Sequence, residues 1–303
     1  MKIAVIGNGA WGCALAQAAN RRGHEAAVWG RSQSKPDLPE TLNDAEIVIL
    51  AVPSHAMRDL CGKIKSLLDK RMLLVSVAKG IEQDTHRRMS EIIHEVTGHS
   101  AVAVLSGPSF ASEVQQGMPT AVVCASIREA QAKKVQVAFN GDDFRVYTQT
   151  DVVGVELGGA LKNVMAIGAG VCVGLGLGEN AIAALITRGL SELSRLGMAL
   201  GGKKETFFGL SGVGDLILTC SSDKSRNRRL GERLARGEKM ETILETLEGT
   251  PEGYRTARSV HQLLRKHRLD GPIVTEIYLA LYEKKPLSEA VKALMGREPK
   301  KEF

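Results

Sequence analysis

A chain of 303 residues with 44% hydrophobic and 24% charged residues has the composition of an ordinary soluble protein, long enough for two domains with a sizeable core. Aromatics make up only 4% while glycine occurs 32 times, which excludes an aromatic base-stacking surface and suits tight βα turns and closely packed helices. Lys and Arg exceed Asp and Glu by 40 to 34, but outside residues 224–236 the charges are mixed, so the net +6 suits an acidic small molecule at least as well as nucleic acid.

The first residues, "MKIAVIGNGAWG", enter a strand at once, with no pattern of a signal peptide. Runs rich in Val, Ile and Leu follow at 25–29, 46–52, 72–77, 101–105, 120–125 and 144–148, with helical patterns between them at 54–69, 85–96 and 127–139. This alternation predicts an α/β, Rossmann-like, doubly wound sheet over residues 1–150. Only "SQSKPDLPETLN" separates Arg31 from the 44–52 segment that holds the next strand, too little for a full crossover helix plus another strand. The first nucleotide-binding half is therefore expected to lack one of them.

"VIGNGAWGCALA" places Gly7, Gly9 and Gly12 between a strand and a helix, the spacing of a dinucleotide-binding turn. The next strand ends in "VWGRS", where an NAD-preferring site carries an acid. Arg31 can instead pair with a ribose 2′-phosphate, supported by Ser32 and Lys35, or be a solvated surface residue. Lys79 in "SVAKGIE", and Gly107 and Ser109 in "LSGPSFASE", follow later strands at the end of the sheet where ligands bind.

From 151 to 303 the pattern is all helical, with segments at 151–175, 180–200, 225–236, 239–248, 255–267, 272–283 and 287–295, interrupted by a Gly-rich loop at 209–215. The most apolar stretch, 164–177, is glycine-rich and short for a membrane span. In "VELGGALKNVMAIGAG", Lys162 stands on a stripe of small residues beside Asn163. It has a chemical task or, alternatively, snorkels to the surface toward Glu156 or Glu179. Asp215 either orients a cation or a substrate hydroxyl, or caps the helix that follows. Ser225 is a good N-cap, yet Arg226, Arg228 and Arg229 crowd a first turn that the helix dipole reserves for acids. The seven histidines form no metal-binding pattern, and five widely spaced cysteines without CxxC point to a reduced compartment.

Together, "GNGAWGCALA", "SVAKGIE", "LSGPSFASEV", "ELGGALKNVMAIGAGV", "GLSGVGDLILTC", "SRNRRLGERLARG" and "PEGYRTA" resemble, in order and spacing, bacterial NAD(P)-dependent glycerol-3-phosphate dehydrogenase over nearly the whole chain. The resemblance implies NAD(P)H-dependent reduction of dihydroxyacetone phosphate to sn-glycerol 3-phosphate in a cytoplasmic, homodimeric enzyme that serves phospholipid synthesis, with no metal. It implies that Lys162 transfers the proton and that Lys79 and Asp215 complete the catalytic site. Gly107, Ser109, Asn163, Ser225, Arg226 and Asn227 match substrate contacts, the last three gripping the phosphate. Gly7, Gly9, Ala10, Trp11, Gly12, Arg31, Lys79, Ala111, Arg226 and Glu252 match cofactor contacts for NADP(H) or NAD(H). Two rival readings are a related reductase of a small keto or hydroxy acid and a non-catalytic dinucleotide-sensing protein. The family's segment after the second strand is longer than "SQSKPDLPETLN", and its fingerprint often has Ser where this chain has Ala10.

Overall fold

The structure is a computed structural model that describes residues 1–31, 36–249, 251–299 and 301–302. It divides into two compact units, Met1–Ala160 with Gly197–Asp215, and Leu161–Leu196 with Leu216–Phe303.

The first unit holds a seven-stranded sheet: β1 (Lys2–Ile6), β2 (Glu25–Trp29), β3 (Ile47–Leu50), β4 (Leu73–Ser76), β5 (Val102–Ser106), β6 (Thr120–Ala125) and β7 (Phe144–Gln149), in the order β2-β1-β3-β4-β5-β6-β7. Its helices are α1 (Ala10–Arg21), α2 (Leu38–Leu42), α3 (Met57–Ile64), α4 (Met89–Thr97), α5 (Ala111–Gln115) and α6 (Glu129–Phe139). Inner strands such as β3 are apolar along their whole length because both faces are covered, by one cluster around Ile3, Val5, Leu15, Ile49 and Val75 and another around Ile6, Leu50, Met57, Leu74 and Ile92, whereas the edge strand β7 alternates buried and exposed residues. Among the described residues the sheet ends at β2, and α2, a five-residue helix opened by a capping box at Asp37, precedes β3.

Expectations change at several places. β6 runs antiparallel to β5, because only the one-turn α5 lies between them and parallel neighbours need a longer crossover. The helix expected from 85 begins at Met89. Residues 81–88 instead close a turn through the Ile81–Arg88 bridge, held by Arg58, which donates from Nε and Nη2 to the two Glu82 oxygens at 2.8 Å.

The remaining helices are α7 (Val152–Gly174), α8 (Glu179–Ala199), α9 (Lys204–Phe207), α10 (Asp215–Ser221), α11 (Arg226–Ala235), α12 (Met240–Thr246), α13 (Glu252–Lys266), α14 (Pro272–Tyr282) and α15 (Leu287–Met295). The Gly-rich run expected as a loop is a π-helical turn at Leu210–Gly214, where Gly212 lies too close to the backbone of Phe207 for a β-carbon. By length and composition alone α7 could cross a bilayer, but 83% of its most apolar window is buried inside the protein. Within the second unit, Gly170 on α7 faces Arg228 O and Gly231 on α11 faces Ile167 O, each so closely that a β-carbon would collide. The C-terminal part of the small-residue stripe of α7, at Gly170 and Gly174, is thus where the α11 backbone packs.

Candidate active site

In the first unit the β1–α1 turn is built as the glycine spacing requires. Gly7 adopts φ +126, its N–H donates to Trp29 O at 2.8 Å, and a β-carbon on it would strike Ala51 O. A β-carbon on Gly12 would strike Gly7 O, so these two glycines close the turn. At Gly9, the N-cap of α1, a β-carbon would meet nothing within 4 Å, and the first turn of α1 carries no acid. The helix end therefore keeps its positive partial charge beside open space, and the turn fits a dinucleotide pyrophosphate. Ala10 and Trp11 open α1, with Trp11 packed on the core, and Ala111 opens α5 and packs on the same core. Arg31 is exposed just beyond β2, while Ser32 and Lys35, expected beside it, lie outside the described residues.

Lys79 lies beyond the C-terminal end of β4. Its Nζ donates to Asp215 Oδ2 at 2.6 Å and to Gly107 O at 2.9 Å. Asp215 is 1% exposed in its side chain and Lys79 19%, so a buried carboxylate pins a partly solvated ammonium. Asp215 is the first residue of α10, and the pairing goes beyond a helix-capping role. Ser109 donates to the same Gly107 carbonyl at 3.0 Å, and Gly107 takes φ +138 against Val122. The Lys79 stem lies 3.5 Å from where a β-carbon of Gly159 would sit, so the bare helix face leaves it room.

Glu156 does not serve Lys162. It is buried and accepts from Arg88 Nη1 at 2.6 Å, Ser90 N at 2.8 Å and Ser90 Oγ at 2.5 Å, tying α7 to the start of α4. Burial pushes its carboxyl pKa up, and Arg88 and Ser90 pull it back.

In the second unit Lys162 is 7% exposed, and its Nζ donates to Thr219 Oγ1 at 2.5 Å. Asn163 is also buried, its Oδ1 accepting from Asn227 Nδ2 at 2.9 Å, while Asn227 Oδ1 accepts from Gly253 N at 2.9 Å. Ser225 caps α11, its Oγ accepting from Arg228 N at 3.2 Å, and the first turn of α11 holds no acid. Arg226 is exposed, with its guanidinium beside Gly249, whose φ is +75. Glu252 opens α13, next to Gly253.

Thr219 went unread in the sequence. The available signal was its place four residues after Asp215, one turn along α10 on the same face. Gly253 went unread too, since only its packing reveals it.

A family model described as NAD-dependent glycerol-3-phosphate dehydrogenase N-terminus matches residues 2–36 and 33–132, and the corresponding C-terminus model matches 151–292. The chain is 45% identical over 328 residues to glycerol-3-phosphate dehydrogenase [NAD(P)+] of Thermoanaerobacter sp. (strain X514), covering 100% of this chain and 99% of the relative. It is 43% identical to the protein of that name from Listeria innocua, over 99% of this chain and 97% of the relative. Among solved structures, glycerol-3-phosphate dehydrogenase from Coxiella burnetii superposes with a TM-score of 0.93 at 35% identity, covering 97% of this chain and 98% of that one.

Proposed function

The chain belongs to the NAD-dependent glycerol-3-phosphate dehydrogenase family, and from that membership we infer its reaction and the part each residue plays. It catalyses the reversible, NAD(P)H-dependent reduction of dihydroxyacetone phosphate to sn-glycerol 3-phosphate, a precursor of glycerophospholipids. Residues 1–150 form the dinucleotide-binding domain and 151–303 the helical substrate domain.

When bound, the nicotinamide supplies the hydride that reaches the carbonyl carbon. Lys162 gives its proton to the carbonyl oxygen as the alkoxide develops, and takes it back from the hydroxyl in the reverse direction. The observation that carries this assignment is a lysine 7% exposed on an apolar helix, aimed by a hydrogen bond to Thr219. A lysine rarely gives up its hydration without a task. Lys79 adds positive charge for the developing oxyanion, held at fixed orientation by Asp215 and Gly107 O. Gly107 and Ser109 line the substrate. Ser225, Arg226 and the first amides of α11 bind the phosphate dianion, which neutralises a helix end left without acids. The glycine turn with Ala10, Trp11, Arg31, Lys79, Ala111, Arg226 and Glu252 holds the cofactor, and Arg31 allows use of NADPH.

The cytoplasmic homodimer implied by the family likeness is part of this proposal, and light scattering on the purified protein measures the mass. The reaction is tested by following NADPH oxidation with dihydroxyacetone phosphate beside pyruvate and ketopantoate. Turnover of the phosphate ester alone is expected; turnover of a keto acid in its place would overturn the reading.

A further inference from the structure

The ladder of β4 ends at Ser76, which pairs with Leu50 on β3 and Val104 on β5. Val77 adds one more bond, its N–H donating to Leu50 O at 3.3 Å. The next fixed point of the backbone is the Ile81–Arg88 bridge. Ala78, Lys79 and Gly80 lie between these two anchors, outside any strand or helix. The hairpin at 81–88 therefore sets the place of the Lys79 main chain as much as the sheet does.

Local preference does not hold that hairpin. His86 takes φ +57, uncommon for a residue other than glycine. Within the turn Glu82 N donates to Arg87 O and His86 N donates to Glu82 O, both at 3.0 Å. Arg58 on α3 fastens it to the rest of the domain. Its Nε and Nη2 donate to the two oxygens of Glu82, each at 2.8 Å, and its Nη1 donates to Glu95 Oε1 on α4 at 2.9 Å. Glu95 also pairs with Arg87 Nε at 2.7 Å, and Thr85 Oγ1 donates to Glu82 Oε2. A planar guanidinium that meets a carboxylate through two parallel bonds fixes orientation as well as distance, which an ammonium cannot do. The contact holds the Glu82 carboxyl below its ordinary pKa, so the clamp stays charged at neutral pH.

We propose that Arg58 is a positioning residue: by clamping Glu82, three residues after Lys79, it fixes the base from which the Lys79 ammonium reaches Asp215 and Gly107 O. This role rests on the dehydrogenase reading above, in which Lys79 stabilises the developing oxyanion. Such a charge acts at full strength only if it is already in place when the oxyanion forms. A displacement of about 1 Å in a reacting constellation costs up to about 10²-fold in rate. Asp215 and Gly107 hold the tip of the Lys79 side chain, and Arg58 holds its root.

The test is a double-mutant cycle between Arg58→Ala and Lys79→Ala, read as kcat for NADPH-dependent reduction of dihydroxyacetone phosphate, with melting temperature checked for each variant. Arg58→Ala is expected to lower kcat about tenfold in the wild-type background and less than about twofold in Lys79→Ala, because residues that act as a unit are not additive. Arg58→Lys, which keeps the charge but loses the fork, should fall between Arg58→Ala and wild type. An equal loss in both backgrounds would show a merely structural role and overturn the proposal. A Lys79→Ala enzyme with wild-type kcat would also overturn it. Should Arg58→Ala fail to fold, Glu82→Gln replaces it in the cycle with the same two outcomes. Hydrogen exchange gives a readout apart from turnover: amides of residues 78–82 should exchange faster in Arg58→Ala while those of β1 do not. Unchanged exchange at 78–82 would overturn the proposal. Failure of the dehydrogenase reading would be seen separately, as absence of turnover in the unsubstituted protein.

Discussion

The ammonium of Lys162 donates to Thr219 Oγ1 at 2.5 Å, a hydrogen bond between side chains 57 positions apart in sequence, made in a region shielded from solvent. A buried cation that loses an acceptor incurs a desolvation penalty on the order of 1–3 kcal/mol. Thr219→Val is therefore expected to lower kcat by about tenfold or more, Thr219→Ser to retain most of it, and Lys162→Ala to lower it by about 10²–10⁴-fold, the span of general acid catalysis. Initial rates of NADPH oxidation on variants that melt near the wild-type temperature measure all three. A Lys162→Ala enzyme working near the wild-type rate would remove the proton-transfer assignment.

The ion pair of Lys79 with Asp215 is sheltered on the carboxylate side and partly wet on the ammonium side. Asp215→Ala strands the Lys79 ammonium, and is expected to cost about 3 kcal/mol, at the low end for breaking a buried pair because Lys79 reaches solvent. Asp215→Asn keeps the shape and one acceptor and should cost less, while both lower activity. Urea titration gives the stability and initial rates the activity. Equal stability in Asp215→Ala and wild type would refute the expectation.

Glu192 on α8 accepts from the amides of Ile273 and Val274 in the first turn of α14. Burial raises its pKa to about 7, against an ordinary 4.5, with the two amides opposing. Because the folded carboxyl holds its proton more tightly than the unfolded one, its contribution is complete below the ordinary value and is lost as pH rises toward 7. Unfolding free energy should thus decline by up to about 3 kcal/mol between pH 4.5 and 7 from this group, and Glu192→Gln should flatten that slope. Chemical denaturation across the range checks it; an unchanged slope in Glu192→Gln would count against it.

Arg31 follows β2 and its neighbour Gly30, where the Asn8 side chain packs. If its guanidinium pairs with the ribose 2′-phosphate, Arg31→Ala should raise KM for NADPH about tenfold or more and leave NADH kinetics within about twofold, the effect of losing one charge-assisted contact. Parallel fall of both cofactors would show a packing role instead.

Much of the fold was legible in the chain because its signals are local. Apolar runs such as "KIAVI" and "TAVVCA" are strands since a buried parallel sheet needs both faces apolar, and "GNGAWG" is a turn since Gly7 must take φ +126. Ser225 reads as an N-cap from its own side chain and the residues after it, and it caps α11. The misreadings share a different cause. The turn at 81–88 is set by Arg58 on α3, and the reversed direction of β6 by the brevity of α5. Glu156, weighed with Glu179 only as the alternative surface partner of Lys162, is a buried partner of Arg88 and Ser90 through contacts more than sixty residues away.

By itself, then, the sequence determined the strands, the glycine turn and the helical second half, and put forward the side chains proposed to react. Periodicity, capping and glycine spacing act within one or two turns of chain. Only the tertiary structure decided the partners: Asp215 for Lys79, Thr219 for Lys162, Asn227 for Asn163, and α11 for Gly170 and Gly174 on α7. A stripe of small residues announces that some backbone approaches closely, and a buried lysine that some acceptor awaits it. Which backbone and which acceptor depends on the helices that pack there, and that choice is made by long-range burial rather than by any pattern along the chain.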